Sequence, residues 1–232
     1  MRTLGLLGGM SWESTLPYYR LLNERVRERM GGLHSAKLLL YSVDFAEIES
    51  LQHRGEWNAA GDVLADAAAR LQGAGAQALL ICTNTMHRVA EQVEAATSIP
   101  LLHIADATAR RIRAAGLKRI GLLGTRFTME QAFYRERLER SGLQVLVPGA
   151  AARERVHAVI YDELCRGVIR EESRVFFRQA IAALVEQGAE GVILGCTEIA
   201  LLVDGDDATV PLFDTARIHA EDAADWAMGV LP

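Results

Sequence analysis

Three short segments of this 232-residue chain recur once each, in the same order. Gly5-Leu6-Leu7-Gly8 returns as Gly121-Leu122-Leu123-Gly124, 116 residues later, and Tyr18 and Leu22 are matched by Tyr134 and Leu138 at the same offset. Leu80-Ile81-Cys82-Thr83-Asn84 returns as Ile193-Leu194-Gly195-Cys196-Thr197, 113 residues on, and Ile99-Pro100-Leu101 as Val210-Pro211-Leu212, 111 residues on. Offsets that shrink slowly along a chain are what an internal duplication with small deletions leaves behind. Each half is then roughly 110 residues long, enough for one small domain.

The pattern inside each half names the fold class. Short apolar runs at 3–7, 37–43, 78–82, 100–104, 119–123, 143–147, 191–194 and 210–213 read as strands. They alternate with amphipathic stretches such as 16–29, 57–73, 128–141 and 173–187, whose apolar residues recur near every 3.6 positions. Such alternation makes βαβ units and a mostly parallel sheet. The expectation is an α/β protein of two pseudo-symmetric lobes, each a mostly parallel sheet flanked by helices, with an active site in the crevice between them. Residues 1–98 plus 210–232 form the first lobe in this reading and 99–209 the second. The helical pattern at 216–229 returns the chain to the first lobe.

Composition removes several functions. Only Lys37 and Lys118 accompany 23 arginines, and both precede strand-like runs. A pyridoxal-phosphate enzyme needs a lysine for its Schiff base, and in parallel sheets ligands gather at the opposite strand ends. Pyridoxal phosphate is therefore not expected. A net charge of −5 lacks the basic footprint of a nucleic-acid binder. No run approaches the ~18 apolar residues of a membrane span, and the apolar start after Met1 is too short for a signal peptide. Three widely spaced cysteines argue against a disulfide framework and for a reduced cytoplasm. No metal-ligand spacing, G-x-G-x-x-G or phosphate-loop motif occurs.

The chemistry-bearing residues lie at strand ends. Cys196 follows an apolar strand and opens a predicted helix, a position that lowers a thiol pKa. A buried structural cysteine is the alternative. If the halves are aligned, its counterpart is Thr83, with Cys82 one residue earlier and facing the other way. A Thr hydroxyl is too weakly acidic to serve unaided as a general base. Asn84 and Thr85 can donate hydrogen bonds to a carboxylate. Met10 and Ser11 offer backbone N–H groups and a hydroxyl after the first strand, unless they form a plain turn. Thr125 and Thr128 are their second-half counterparts. Arg166 is either a partner for a substrate's side-chain carboxylate or a surface residue. His87 either orients Thr83 or a water, or is a structural histidine. Two groups related by a pseudo-twofold and flanking one carbon suit inversion of a stereocentre.

Thr83-Asn84-Thr85-Met86-His87, Gly195-Cys196-Thr197-Glu198 and the Gly8-Gly9-Met10-Ser11-Trp12 turn resemble the aspartate/glutamate racemase superfamily over essentially the whole chain. The resemblance is strongest to its bacterial aspartate/glutamate or broad-specificity amino-acid racemase branch. It implies cofactor-independent racemisation, with Cys196 and Thr83 on opposite faces of Cα and L-aspartate or L-glutamate as substrate. It also implies that Gln52, Thr197 and Glu198 face substrate, and that the enzyme is a homodimer. Hydantoin racemase, maleate isomerase and a ligand-binding relative without catalysis are the alternatives. The family's first cysteine is Thr83 here, so its two-thiol symmetry is broken. Unequal handling of the two enantiomers is expected.

Overall fold

A computed structural model describes residues 1–231, which fall into two compact units. Unit 1 comprises Met1–Ile104 and the chain from His219 onward; unit 2 is Ala105–Ile218. Unit 1 runs β1 (Leu4–Gly8), α1 (Trp12–Met30), β2 (Leu38–Ser42), α2 (Phe45–Arg54), α3 (Trp57–Gly73), β3 (Ala78–Ile81), a 3-10 turn at Thr85–Val89, and α4 (Ala90–Ala95). α5 (Ile104–Ala114) leads into unit 2, which holds β4 (Arg119–Gly124), α6 (Arg126–Glu130), α7 (Ala132–Arg140), β5 (Gln144–Leu146), α8 (Ala150–Asp162), α9 (Glu171–Glu186), β6 (Val192–Gly195) and β7 (Leu212–Asp214). α10 (Thr215–Ala227) brings the chain back to unit 1. No helix among the described residues is long and apolar enough to cross a membrane.

Both sheets are wholly parallel and share one strand order. Unit 1 has β2-β1-β3 and unit 2 has β5-β4-β6, extended by β7. Strands β1 and β3 are buried along their whole length, as expected where helices cover both faces. The ladders also match residue by residue. Leu7 pairs with Ile81 in unit 1, and Leu123 with Leu194 in unit 2. Leu7 and Leu123 are repeat partners, so Ile81 and Leu194 occupy one place in the two sheets. Two residues further on, Thr83 and Cys196 occupy matching positions just past their strand ends. The third sequence match also holds, because Leu101 bridges Leu79 as Leu212 pairs with Val192.

Several expectations shift. The strand expected at 100–104 is reduced to the single bridge at Leu101, and Ile104 already begins α5. That bridge keeps 99–104 in unit 1. The lobe boundaries move accordingly: β7 pairs with β6, so 210–218 belong to unit 2 and the return crossing falls between Ile218 and His219. The stretch 128–141 is two helices, because Gln131 adopts an extended backbone between them. α2 forms in a polar stretch, where Asp44 caps it by accepting the Ala46 N–H. α10 is fixed to α1 within unit 1 by a bidentate pair, Arg25 Nε and Nη2 to Asp225 at 2.9 and 2.6 Å.

The strand ends themselves are crowded. A Cβ on Gly195 would lie 2.7 Å from Leu122 Cδ1 and 2.8 Å from the Leu123 carbonyl oxygen. Glycine is what lets β6 approach β4 there. Unit 1 places Cys82 at the matching position, fully buried, where desolvation drives its thiol pKa far above the ordinary value of 9.0. Gly195→Ala should therefore cost about 1–3 kcal/mol from overpacking. Urea unfolding should show this as a lower midpoint at unchanged slope.

Candidate active site

In unit 2 the end of β6 carries Cys196, pinned from below by buried Thr215, whose hydroxyl donates to the Leu194 carbonyl at 2.8 Å. Cys196 Sγ–H donates to Glu198 Oε2 at 3.0 Å, and the same oxygen accepts from Thr197 Oγ1 at 2.8 Å. Cys165 Sγ lies 3.5 Å from the other carboxylate oxygen, Oε1. Glu198 is only 2% exposed, so a carboxyl group is held beside a thiol away from bulk water. Burial above all, then the charge of Glu198 and the neighbouring Cys165, raise the Cys196 thiol pKa well above its ordinary value.

The direction is opposite to the lowering expected from a helix start. The predicted helix after Cys196 is a three-residue 3-10 turn, Ile199–Leu201, too short to supply a macrodipole. Desolvation disfavours the anion, and the backbone hydrogen bond from Glu198 offsets it only in part. Cys196 is thus a protonated thiol with a proton acceptor already hydrogen-bonded to it. Thr197 and Glu198, expected to face substrate, bond to each other and, through Glu198, to the thiol. The sequence held a signal for this arrangement: a carboxylate two residues beyond a cysteine, directly after a strand.

Thr125 and Thr128 sit beside this strand end, since Gly124 pairs with Gly195. Both are buried; Thr125 Oγ1 accepts the Thr128 N–H at 3.3 Å and caps α6. Arg166 lies exposed on the 3-10 turn Leu164–Arg166, whose Cys165 touches Glu198.

In unit 1 the end of β3 carries Thr83, Asn84 and Thr85, all buried. His87 Nδ1 lies 2.8 Å from the Thr83 carbonyl oxygen. Ser11 Oγ accepts the Ser14 N–H at 3.4 Å as the cap of α1, and Thr15 Oγ1 bonds both the Ser11 carbonyl and the Gly9 N–H. The Met10 side chain enters the apolar core with Leu7, Ile48 and Leu64. Gln52, which on sequence alone reads as a solvated helix residue, is 3% exposed and donates to Met86 Sδ at 3.1 Å. Each unit therefore assembles its own candidates at one strand end: Thr83, Asn84 and Thr85 in the first; Cys196, Thr197, Glu198, Thr125 and Thr128 in the second. Both lysines precede the amino ends of strands, Lys37 before β2 and Lys118 before β4.

A thiol with an acceptor, and a hydroxyl at the matching place of a repeated sheet, are groups that can exchange protons. Known proteins resemble this chain along nearly its whole length. The sequence pattern of the Asp/Glu/hydantoin racemase family matches residues 7–223. A crystal structure from Yersinia pestis, provisionally assigned to the Asp/Glu racemases, is 57% identical and covers 98% of this chain and 100% of its own, with a TM-score of 0.91. An aspartate racemase homologue from Pyrococcus horikoshii is 35% identical over 98% of this chain and 100% of its own, with a TM-score of 0.84. The broad specificity amino-acid racemase RacX of Bacillus subtilis is 23% identical, covering 94% of this chain and 95% of that protein. With one family pattern running through both repeats, and solved relatives aligned along nearly their full length, the chain belongs to the Asp/Glu/hydantoin racemase family.

Proposed function

We propose that this protein racemises amino acids without pyridoxal phosphate, by removing the Cα proton on one face and returning a proton on the other. Cys196 serves one face and Thr83 the other. The observation that carries this is the matched register of the two residues in the duplicated sheets, together with the Cys196–Glu198 contact. Backbone N–H groups and the side chains of Asn84, Thr85 and Thr125 hold the α-carboxylate and stabilise the carbanion. The lysines at the wrong strand ends support chemistry without a Schiff base.

Each proton can be followed. Glu198 takes the Cys196 proton, and the resulting thiolate takes the Cα proton as the C–H bond breaks. On the opposite face the Thr83 hydroxyl gives a proton to the carbanion while receiving one from water, and Glu198 then releases its proton to solvent, so every group returns to its starting state. The reverse direction runs through the same groups. Overall equilibrium between enantiomers is unity, so kcat/KM is equal in both directions; the unequal groups show up in kcat and KM separately, and in exchange. Acidic amino acids are the favoured substrates, with Arg166, on the turn beside Glu198, taking the distal carboxylate. A broader specificity fits RacX and would appear as turnover of neutral amino acids.

Exchange of Cα–H for solvent deuterium tests the activity with each pure enantiomer. Cys196→Ala should abolish exchange from the enantiomer it deprotonates and reduce racemisation at least ~10³-fold, whereas Cys82→Ala should change it little. Absence of exchange in the wild type with every amino acid would leave a ligand-binding protein. Glu198→Gln keeps shape and hydrogen bonding but removes the acceptor. It should lower kcat about 10²–10⁴-fold with a much smaller change in KM.

A homodimer is part of the proposal. Trp12, Leu16 and Tyr19 follow helical spacing on α1 and are 61%, 60% and 63% exposed. An apolar stripe of this kind marks an association surface. Leu16→Glu should shift the mass measured by light scattering from dimer to monomer, and an unchanged mass would place the contact elsewhere.

A further inference from the structure

We infer that His87 is a positioning residue for the Thr83 half of the reaction, acting through the peptide of Thr83 rather than on substrate. The inference rests on the role proposed above for Thr83. The His87 ring is 3% exposed and both its nitrogens are used. Nε2 accepts the Ile104 backbone N–H at 3.3 Å, so the ring proton sits on Nδ1 and is donated to the Thr83 carbonyl at 2.8 Å. Both contacts need the neutral ring in that tautomer. One imidazole thus spans from Thr83, two residues past the end of β3, to Ile104, the residue at which the chain leaves unit 1.

His87 is itself held. Its ring packs against His103, with centroids 4.3 Å apart, and against His219 at 6.0 Å. His219, 1% exposed, donates from Nε2 to the Leu102 carbonyl at 2.6 Å and accepts at Nδ1 from the Tyr18 hydroxyl at 2.9 Å. His219 is the first residue after the chain re-enters unit 1. Three buried imidazoles and a tyrosine therefore clamp residues 102–104 and 219, the two points where the backbone crosses, and the clamp ends on Thr83. A histidine needed only to fill space would not require both ring nitrogens to be matched to backbone groups. A misplaced reacting group costs rate steeply, up to about 10²-fold for an ångström.

The test compares two nearly isosteric replacements. His87→Asn puts an amide nitrogen close to the place of Nδ1 and can still donate to the Thr83 carbonyl; His87→Leu cannot. Both leave the same space behind, so their stabilities in urea should fall together. For racemisation, His87→Leu should lower kcat about 10–100-fold with KM within about threefold, and His87→Asn should recover to within about fivefold of wild type. Equal loss in both, or wild-type kcat in His87→Leu, would overturn the inference. Should His87→Leu not fold, His87→Asn decides alone: near-normal kcat supports the positioning role and a loss above about tenfold refutes it. Thr83→Ala separates the two levels. If that variant keeps full activity, the role of Thr83 itself fails; if it is inactive while His87→Leu is normal, only the positioning role fails.

Discussion

Parallel pairing of β1 with β3, and of β4 with β6, fixes the depth at which the reactive residues leave their sheets. Backbone hydrogen bonds set this register, and side-chain chemistry follows from it. A slip of one residue would turn each strand's side chains to the opposite face, exchanging Thr83 for Cys82 or Cys196 for Gly195. Apolar burial on both faces of β1 and β3 makes such a slip expensive, and the absent side chain at Gly195 lets β6 lie against β4 without displacement. The candidate chemistry therefore depends on a ladder whose own residues take no part in it.

The two halves have diverged in what they attach to this common frame. Unit 2 supports its strand end with a carboxylate that touches the thiol, and unit 1 supports its strand end with an imidazole that touches a carbonyl. In the proposed reaction the first device moves a proton, while the second holds a peptide in place. A hydroxyl is intrinsically weak as an acid or base and must be well aimed to act, whereas an ionisable thiol is less demanding.

Much of this was legible in the residues. The shrinking offsets of the GLLG, Thr83/Cys196 and Pro100/Pro211 matches correspond to equivalent strands, and the apolar runs at 78–82 and 191–194 lie where β3 and β6 form. What escaped was tertiary. The run at 100–104 has strand composition, but packing leaves it only the Leu101 bridge before α5 begins. α2 is short and polar, so its periodicity was weak, and the burial of Gln52 against Met86 is invisible without the fold. The lowered Cys196 pKa expected from sequence is not found, because a strand followed by Thr-Glu looks like a helix start. Three residues of 3-10 turn cannot offset the desolvation of an anion. The histidine clamp could not be read at all, since its members lie at 87, 103 and 219 and are joined only by folding.

The neutral state of Cys196 has an implication for how the protein weathers oxidants. Peroxides and alkylating reagents attack sulfur as the anion, and readily only where they can reach it. A thiol kept protonated and 7% exposed is a poor target for both reasons. In the proposed mechanism the sulfur becomes nucleophilic only while its proton rests on the adjacent carboxyl, so the contact that would arm the residue for turnover also shelters it during idle periods.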